Sequence, residues 1–453
     1  MTKPQQILQQ VFGYPEFRQP QGEIIDSVLA GERTLALLPT GQGKSLCYQI
    51  PGLALNGLTI VISPLIALMK DQVDALQRRG ITATYINSAL KNEEVERRYQ
   101  AIQQGEIKFL YVAPERLLTK KFLEIMIAKP PSFIAIDEAH CFSTWGHDFR
   151  PLYRNIPIFI QRLNTNPKLA LFTATASAAV VEDLQTSFKV KDKNVFRGNF
   201  FRPNLFITLK KFELQSQRFL YTFYLITRVF PRQPGLIYVS TRKMAEMLNL
   251  GLKKLDFNNQ LQLDYYHAGR TNKEKTQLQE KFLNGEVRVM IATNAFGMGI
   301  DKPDIRFVIH FQTPGNLENY VQEIGRAGRD RQFSWCELLF HPQDFELHQQ
   351  MQQKSNSPSS KQSLQKIIKF VNQASCHHEK ILSYFQDPQI LTNGCARCQY
   401  CSPYSQPFLK TMQEQLTKPS KLPTFIRQQQ LILGQNVPMN PTKLLAFGKG
   451  MLQ

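Results

Sequence analysis

A glycine-containing run near the N-terminus has the residue types needed to hold a triphosphate. Its candidate ligands are Thr40, Gly41, Gln42, Gly43, Lys44 and Ser45. Glycines let backbone N–H groups approach phosphate oxygens, a lysine can reach the outer phosphates, and a serine hydroxyl can bind Mg²⁺. The apolar residues 34–38 predict a buried strand before the run, and residues 46–50 can begin a helix after it. This order would place the phosphates at a helix N-terminus.

The run departs from the general phosphate-loop pattern at one position. That pattern begins with a glycine where Leu38 stands here, although the shorter form T-G-x-G-K-S is intact. An ordinary glycine turn is therefore the alternative interpretation of this run taken alone.

A pair of carboxylates supplies the second half of a nucleotide site. Asp137 and Glu138 directly follow the apolar residues 132–136 and lie 93 positions after Lys44. Asp137 can hold Mg²⁺, and Glu138 can orient and deprotonate an attacking water. The alternative is a solvated surface turn, but a pair at the end of an apolar strand and beside a phosphate loop favours nucleotide hydrolysis.

The elements that must position these residues alternate between apolar runs and helical patterns. Five apolar runs, at 34–38, 58–65, 108–113, 132–136 and 169–172, each lead into a loop that carries candidate residues. Continuous apolar strands alternating with helices predict an α/β fold with a parallel sheet covered on both faces, whose ligands bind at the carboxyl ends of the strands. After Phe201 a similar series lacks a phosphate loop, which predicts a second, degenerate copy.

Aromatic and basic residues suit base stacking and phosphate contact. Trp145 and Phe149 offer stacking faces for unpaired bases, and Arg150 offers a phosphate contact. A buried aromatic cluster is the alternative, most of all for the nearby Phe142.

The segment before the first strand offers groups that could recognise a base. Its candidates are Tyr14, Arg18 and Gln21. An amide such as that of Gln21 can bond N6 and N7 of adenine. A capping loop before a helix remains the alternative for this segment.

Four of the seven cysteines form a late cluster with zinc-site spacing: Cys376, Cys395, Cys398 and Cys401. Two overlapping C-x-x-C pairs and a distant cysteine suit tetrahedral structural Zn²⁺, with free reduced thiols as the alternative. We expect His377 and His378 not to be ligands. Cys47, Cys141 and Cys336 are scattered and are most simply buried apolar residues.

The net charge of the 453-residue chain, +19, suggests a polyanionic partner. Residues 346–453 hold 12 Lys or Arg and 4 Asp or Glu, so that a solubilising tail is the alternative explanation. The polar run 349–360 predicts a loop. No apolar stretch is long enough to cross a bilayer and the N-terminus has no signal-peptide core, so we expect a soluble, cytoplasmic protein, nucleoid-associated if bacterial.

Taken together, residues 41–49 and 137–140 resemble the RecQ family of DNA helicases. Residues 141–153 resemble the aromatic-rich loop of that family, with Thr144 where a glutamine is common. The resemblance implies two tandem RecA-like domains, 1–205 and 206–345, a helical zinc-binding module at 346–405, and a short basic tail at 406–453. Only 52 residues follow Cys401, so we expect a short form without a winged helix.

The resemblance also implies roles for particular residues. It assigns Tyr14, Arg18 and Gln21 to adenine, and it places His267 among the nucleic-acid contacts. It assigns Gln322, Arg326 and Arg329 to catalysis, with the arginines acting on the γ-phosphate; their spacing predicts one face of a helix. The alternative is a surface helix with structural ion pairs.

The function implied is an ATP-dependent DNA helicase that uses ATP, Mg²⁺ and Zn²⁺. By resemblance it moves 3′ to 5′ on single-stranded DNA and unwinds forked DNA in repair or recombination. We also expect a monomer. ATP would bind between the two domains. The alternatives are a non-catalytic DNA-binding or strand-annealing scaffold and an RNA-directed helicase, because base stacking does not inspect the sugar.

Overall fold

The computed structural model describes residues 2–64, 66–146, 148–256, 261–296, 302–355, 358–387, 389–391 and 394–402. Contacts among them divide the chain into two compact units. The first runs to Phe200 and also includes Leu382–Gln389; the second holds the described residues from 201 to 381 and from 390 to 402. His147, residues 297–301 and the expected tail 406–453 lie outside the described residues.

A seven-stranded parallel sheet organises the first unit. Its strands are β1 (Thr34–Leu37), β2 (Thr59–Ile62), β3 (Ala83–Ile86), β4 (Phe109–Val112), β5 (Phe133–Ile136), β6 (Lys168–Thr173) and β7 (Val195–Arg197), in the order β3-β4-β2-β5-β6-β1-β7. Its helices are α1 (Lys3–Phe12), α2 (Gln21–Leu29), α3 (Lys44–Ala54), α4 (Ile66–Gln77), α5 (Asn92–Gln104), α6 (Lys120–Ala128), α7 (Asn155–Arg162) and α8 (Ala178–Phe188). The predicted parallel α/β sheet is confirmed, and β3 and β7 are strands that the apolar runs did not indicate.

The strands are apolar throughout because both faces of this sheet are buried. Ile60 and Ile62 of β2 belong to one apolar cluster, while Val61 between them belongs to another. Successive side chains of a strand point to opposite faces, so the two clusters are the two sides of the sheet. The polar candidate residues are consequently confined to the strand ends.

A six-stranded parallel sheet organises the second unit. Its strands are β8 (Leu205–Lys211), β9 (Gly235–Tyr238), β10 (Leu263–Tyr266), β11 (Val289–Ala292), β12 (Phe307–His310) and β13 (Ser334–Phe340), in the order β10-β11-β9-β12-β13-β8. Its helices are α9 (Gln215–Tyr224), α10 (Arg242–Leu255), α11 (Asn272–Leu283), α12 (Leu317–Ile324), α13 (Gln343–Ser355) and α14 (Pro358–Asn372). A last helix, α15 (His377–Tyr384), begins in this unit, and its final residues are grouped with the first. None of the helices that the structure describes combines the length and apolar character needed to cross a bilayer.

The predicted helical face carrying Gln322, Arg326 and Arg329 is wrong in its second half. Helix α12 ends at Ile324, so only Gln322 is helical, and the two arginines lie in the turns that follow. The backbone N–H of Gly328 bonds to Ile305 O at 2.9 Å, which draws the chain away from the helix axis. Gly328 also has φ +55°, a conformation that favours glycine.

The predicted loop at 349–360 is also wrong at both ends. Residues 349–355 continue helix α13, and residues 358–360 begin helix α14. Gln, Met and Lys are good helix formers, and the run has no glycine or proline before Pro358. Polarity alone therefore did not indicate a break in the helix.

A buried ion pair joins α9 to α13 in the second unit. Arg218 Nη1 donates to both carboxylate oxygens of Asp344 at 2.9 Å, and both side chains are almost wholly inaccessible. Asp344 also accepts from the backbone N–H of Thr313 at 3.0 Å. One carboxylate therefore anchors two helices and a loop.

Arg218→Met should lower the free energy of unfolding by about 3–5 kcal/mol, because it leaves the Asp344 carboxylate buried without its cation. Urea unfolding followed by circular dichroism measures the loss. Lys191→Met is the matched control, since Lys191 is exposed and pairs with Glu32 at 3.7 Å; it should change stability by less than about 1 kcal/mol. Equal stabilities for the two variants would contradict a structural role for the buried pair.

Candidate nucleotide site and cysteine cluster

The glycine loop connects the end of β1 to the start of α3. Gly41 and Gly43 have φ of +88° and +76°, and Lys44 is the first residue of the helix. A Cβ on Gly43 would come within 2.5 Å of Gln21 Nε2. The backbone conformation therefore favours glycine at position 43, and a side chain there would displace the amide of Gln21. The strand, loop and helix follow one another as the sequence predicts.

Lys44 and the two carboxylates meet at the carboxyl edge of the sheet. Lys44 Nζ lies 3.2 Å from Glu138 Oε1 and 3.7 Å from Asp137 Oδ1. The Tyr153 hydroxyl donates to the Asp137 carbonyl at 2.9 Å, which holds the end of β5 in place. Residues 94 positions apart thus form one charged cluster.

Burial sets the electrostatics of this cluster. Burial alone would lower the pKa of Lys44. The negative charges of Glu138 and, to a smaller extent, Asp137 outweigh the effect of burial, so the pKa of Lys44 lies above its ordinary value. Burial raises the pKa of the Asp137 carboxyl to about 6, against the opposing charge of Lys44 and with a further increase from Glu138. Lys44 therefore stays charged at neutral pH, while Asp137 takes up a proton much closer to neutrality than an ordinary aspartate.

Glu138 has an unusual backbone and a carboxylate oxygen that can accept a further hydrogen bond. Its φ of +47° is rare outside glycine and asparagine, and strain of this kind is concentrated at functional sites. Its Oε2 atom is buried and accepts no hydrogen bond from the described residues. It lies 3.4 Å from His140 Nδ1. A buried carboxylate oxygen with spare acceptor capacity suits the orientation of a water molecule.

Thr173, the last residue of β6, contacts the segment that follows Asp137 and Glu138. Its hydroxyl lies 2.9 Å from His140 Nδ1 and donates to Thr175 O at 3.0 Å. The segment Thr173-Ala174-Thr175 at the end of β6 therefore contacts His140, the residue that follows Glu138 and Ala139. Periodicity indicated the strand, but the side-chain contact depends on β5 and β6 being neighbours.

The side chain of Gln21 spans two segments of this site. Its Oε1 accepts from the Arg18 backbone N–H at 2.9 Å, and its Nε2 donates to Gln42 O at 2.9 Å. Arg18 Nη1 donates to Gly41 O at 3.3 Å, and Tyr14 is 47% exposed nearby in the chain. The candidate adenine-binding residues therefore also support the glycine loop, a role that sequence reasoning missed.

A second support of the loop comes from residues with no functional pattern. Gln42 Nε2 donates to the carbonyl of Asn199, and Gly198 leaves the space that the Gln42 side chain occupies. Phe200, which follows Asn199, stacks on Phe385 with ring centroids 4.4 Å apart. Its backbone N–H donates to Asp387 Oδ2 at 2.6 Å. No sequence signal relates these distant residues to the glycine loop.

The aromatic-rich loop separates into exposed and buried side chains. Trp145 is 43% and Phe149 is 38% exposed, as stacking faces must be. Phe142 is buried against Phe188, so the alternative of a core residue applies to it. Arg150 donates to Asp148 Oδ2 and to Pro64 O, both at 3.0 Å. Arg150 therefore helps hold the loop as well as carrying a charge.

The second unit contains the remaining candidate residues. Arg326 is buried and hydrogen-bonds Tyr238; burial raises the pKa of that phenol, and the guanidinium opposes the shift. Gln322 and Arg329 are half-buried. His267 is buried, and its Nε2 lies 2.8 Å from Glu246 Oε1, so an acidic partner restrains its ring.

The four late cysteines form one compact group. The Sγ atoms of Cys376, Cys395, Cys398 and Cys401 all lie within 4.8 Å of one another. A bridge between Cys398 and Ile207 attaches the group to strand β8. Gly394 has φ +71°, and a Cβ there would lie 2.9 Å from Cys401 Sγ.

The neighbouring histidines point to other partners. His378 Nε2 lies 3.1 Å from Leu205 O, and the His377 ring packs against Phe370 and Tyr400. Four converging thiols with no histidine among them fit tetrahedral structural Zn²⁺. The predicted ligand set is therefore brought together as a group.

Three family models match the chain. They are described as DEAD/DEAH box helicase, over residues 18–184, helicase conserved C-terminal domain, over 218–331, and RecQ zinc-binding, over 342–402. An ATP-dependent DNA helicase RecQ from Bacillus subtilis (strain 168) is 42% identical over 409 residues, which cover 89% of this chain and 67% of that protein. The ATP-dependent DNA helicase RecQ from Pasteurella multocida (strain Pm70) is 40% identical over 400 residues, which cover 87% of this chain and 61% of that protein.

A solved structure gives the same architecture at low identity. The crystal structure of the DUF1998 helicase MrfA bound to DNA matches with a TM-score of 0.62 at 17% identity, over 79% of this chain and 51% of that one. This likeness shows the fold. The chain spans 61% to 67% of the length of the two sequence relatives.

Removing one thiol should remove the metal. Wild-type protein dialysed against metal-free buffer should retain one zinc per chain, and Cys398→Ser should retain little, because three thiolates hold zinc less tightly than four. Elemental analysis measures the ratio. His377→Ala, which changes a buried neighbour outside the ligand set, should keep its zinc. Zinc-free wild-type protein, or full retention by Cys398→Ser, would contradict the assignment.

Proposed function

Because this chain belongs to the RecQ family of DNA helicases, we propose that it hydrolyses ATP to move along single-stranded DNA and to unwind duplexes. The observation that carries the proposal is the cluster of Lys44, Asp137 and Glu138 beside the glycine loop. A cation for the outer phosphates, a metal-binding carboxylate and a general base then share one strand edge.

The residues of the first unit divide the work of hydrolysis. Backbone N–H groups of the glycine loop and the ammonium of Lys44 hold the phosphates. Ser45 and Asp137 would hold Mg²⁺, which supplies positive charge to the transferring phosphoryl group. Glu138 orients the attacking water through its buried Oε2 and accepts its proton.

Other roles rest on the family resemblance together with the placement of each residue. Tyr14, Arg18 and Gln21 would recognise adenine. Gln322, Arg326 and Arg329 would act on the transferring phosphoryl group, where an arginine is worth roughly 10³–10⁵ in rate. Trp145, Phe149 and Arg150 would contact single-stranded DNA, and His267 would support that contact.

The finer features belong to the same proposal. They are 3′-to-5′ movement, action on forked DNA in repair or recombination, a monomeric state, a nucleoid location in a bacterial cell, and the division into two helicase domains, a zinc module and a basic tail. Family membership supports them. A non-catalytic scaffold is disfavoured because the hydrolytic cluster is complete, and it would not need a charged Lys44 between two carboxylates.

Lys44→Ala should lower DNA-stimulated ATP turnover by at least about 10³-fold, because it removes the cation that the glycine loop holds for the outer phosphates. Phosphate release is measured with single-stranded DNA, with single-stranded RNA and without nucleic acid. Lys193→Ala is the matched control, since Lys193 is exposed on the same unit. Background-level hydrolysis by the wild type under all three conditions would reject the enzyme, and equal stimulation by RNA would reject DNA as its preferred substrate.

The value of kcat/KM for ATP should fall as the pH drops through about 6. Burial raises the pKa of Asp137, so the carboxylate that would bind the metal is neutralised there rather than near pH 4. Glu337→Gln changes a buried carboxyl of the second unit and should leave this acid limb in place. Circular dichroism at each pH verifies that the fold is intact. A profile that stays flat down to about pH 4.5 would contradict the raised pKa.

A further inference from the structure

A second group of metal-binding side chains lies across the aromatic-rich loop. The ligand atoms of His140, Cys141 and Asp148 all lie within 4.8 Å of one another. Cys141 Sγ is 3.7 Å from His140 Nε2 and 3.7 Å from Asp148 Oδ2. Trp145 lies between Cys141 and Asp148 in the chain, so the group joins two positions of the loop on either side of Trp145.

These distances suit a single zinc ion. Zinc binds thiolate at about 2.3 Å and imidazole or carboxylate at about 2.0–2.2 Å, so two ligands of one tetrahedral ion lie about 3.5–3.6 Å apart. Both contacts of Cys141 Sγ are close to this value. Small movements of the three side chains would therefore complete the geometry.

The hydrogen bonds of His140 prepare its Nε2 atom to bind a metal. Thr173 donates its hydroxyl proton to Thr175 O, so its oxygen accepts from His140 Nδ1–H. The lone pair is then on Nε2, the nitrogen that faces Cys141. A ligand histidine characteristically donates its other N–H in this way, which fixes the ring orientation and raises its basicity.

Burial and charge indicate an open, reversible site. His140 and Cys141 are buried, whereas the side chain of Asp148 is 36% exposed, so solvent reaches one side of the group. Three protein ligands leave a fourth position for water. Arg150 already pairs with Asp148 Oδ2 at 3.0 Å and competes with the metal, so affinity should be lower here than at the four-cysteine group.

We propose that His140, Cys141 and Asp148 form a second, reversible Zn²⁺ site that clamps the aromatic-rich loop to the end of strand β6 through Thr173. Binding releases the Cys141 thiol proton to solvent. The bound ion fixes Asp148 against Cys141, which restricts the segment that carries Trp145. The metal site stands on these side chains alone, and only its effect on hydrolysis rests on the proposed function.

Metal stoichiometry tests the site. Full-length protein holding its one tight zinc is titrated with Zn²⁺, dialysed against buffer with a small excess of free zinc, and analysed for metal. Wild type should reach two zinc ions per chain, while Cys141→Ala and Asp148→Asn should stay at one. Cys336→Ala is the matched control, because Cys336 is equally buried but lies in β13; it should reach two. Because the first zinc lies in the second unit, circular dichroism and the urea midpoint verify that the first unit of each variant is folded.

Cobalt supplies a second readout for the same ligands. Added Co²⁺ should give a thiolate-to-metal absorption band in wild type and in Cys336→Ala, and no such band in Cys141→Ala. A wild type that binds no second equivalent overturns the site. Uptake by Cys141→Ala equal to that of wild type, with the same band, overturns this ligand set.

The effect on function is measured separately. The second equivalent of zinc should remove most of the DNA stimulation of ATP turnover in wild type and leave Cys141→Ala stimulated. A second equivalent that binds without slowing the wild type overturns the clamp, though not the site. Absence of DNA stimulation before any zinc is added would reject the proposed helicase instead.

Discussion

A lysine held between two buried carboxylates is the interaction on which the first unit depends. Lys44 opens α3, and Asp137 and Glu138 directly follow β5, so the contact requires that two distant segments reach the same sheet edge. Without its neighbours, each of these charges would be costly to bury. The parallel sheet supplies the geometry, because every strand delivers its carboxyl end to this edge. ATP phosphates can then enter a place where the compensating charge already exists.

Side chains that never touch the phosphates support this arrangement. The side-chain amides of Gln21 and Gln42 both donate to backbone carbonyls around the glycine loop. Gln21, on α2, donates to Gln42 O, and Gln42 donates to Asn199 O. The glycines must keep positive φ angles to expose their N–H groups, and a loop with few side chains of its own has little else to hold it. These amides replace the side-chain packing that the glycines cannot provide. Nucleotide binding therefore depends on segments that lie well outside the phosphate-loop motif.

Thr173, His140 and the aromatic-rich loop form a continuous set of contacts away from the nucleotide site. His140 follows Glu138 by two positions, bonds Thr173 on the neighbouring strand, and faces Cys141 at the start of the loop. Trp145 and Phe149 are exposed on the same loop. Contacts therefore run from Glu138 through His140 and Cys141 to Asp148 on the loop that carries Trp145 and Phe149. Under the proposed function, these contacts would couple DNA binding to hydrolysis, and the proposed metal site would act on the same residues.

Local sequence patterns determined most of the architecture. Apolar runs identified five strands of the first sheet, the T-G-x-G-K-S run identified the strand–loop–helix connection, and cysteine spacing identified the four thiols that converge. These features depend on backbone periodicity or on short spacings, which a linear sequence displays directly. The family resemblance added the expected partners and roles.

Tertiary structure decided what depends on contacts between distant segments. Polarity suggested a loop where α13 continues, and spacing suggested a helix where Gly328 turns the chain toward Ile305. Burial of Phe142, the two bonds of the Gln21 amide and the approach of Asp148 to Cys141 also have no periodic signal. Each is set by which strands are neighbours and by how side chains pack once the sheet has formed. The sequence therefore determined the order of the motifs and the chemistry of their residues, and only the folded chain decided which of those residues touch.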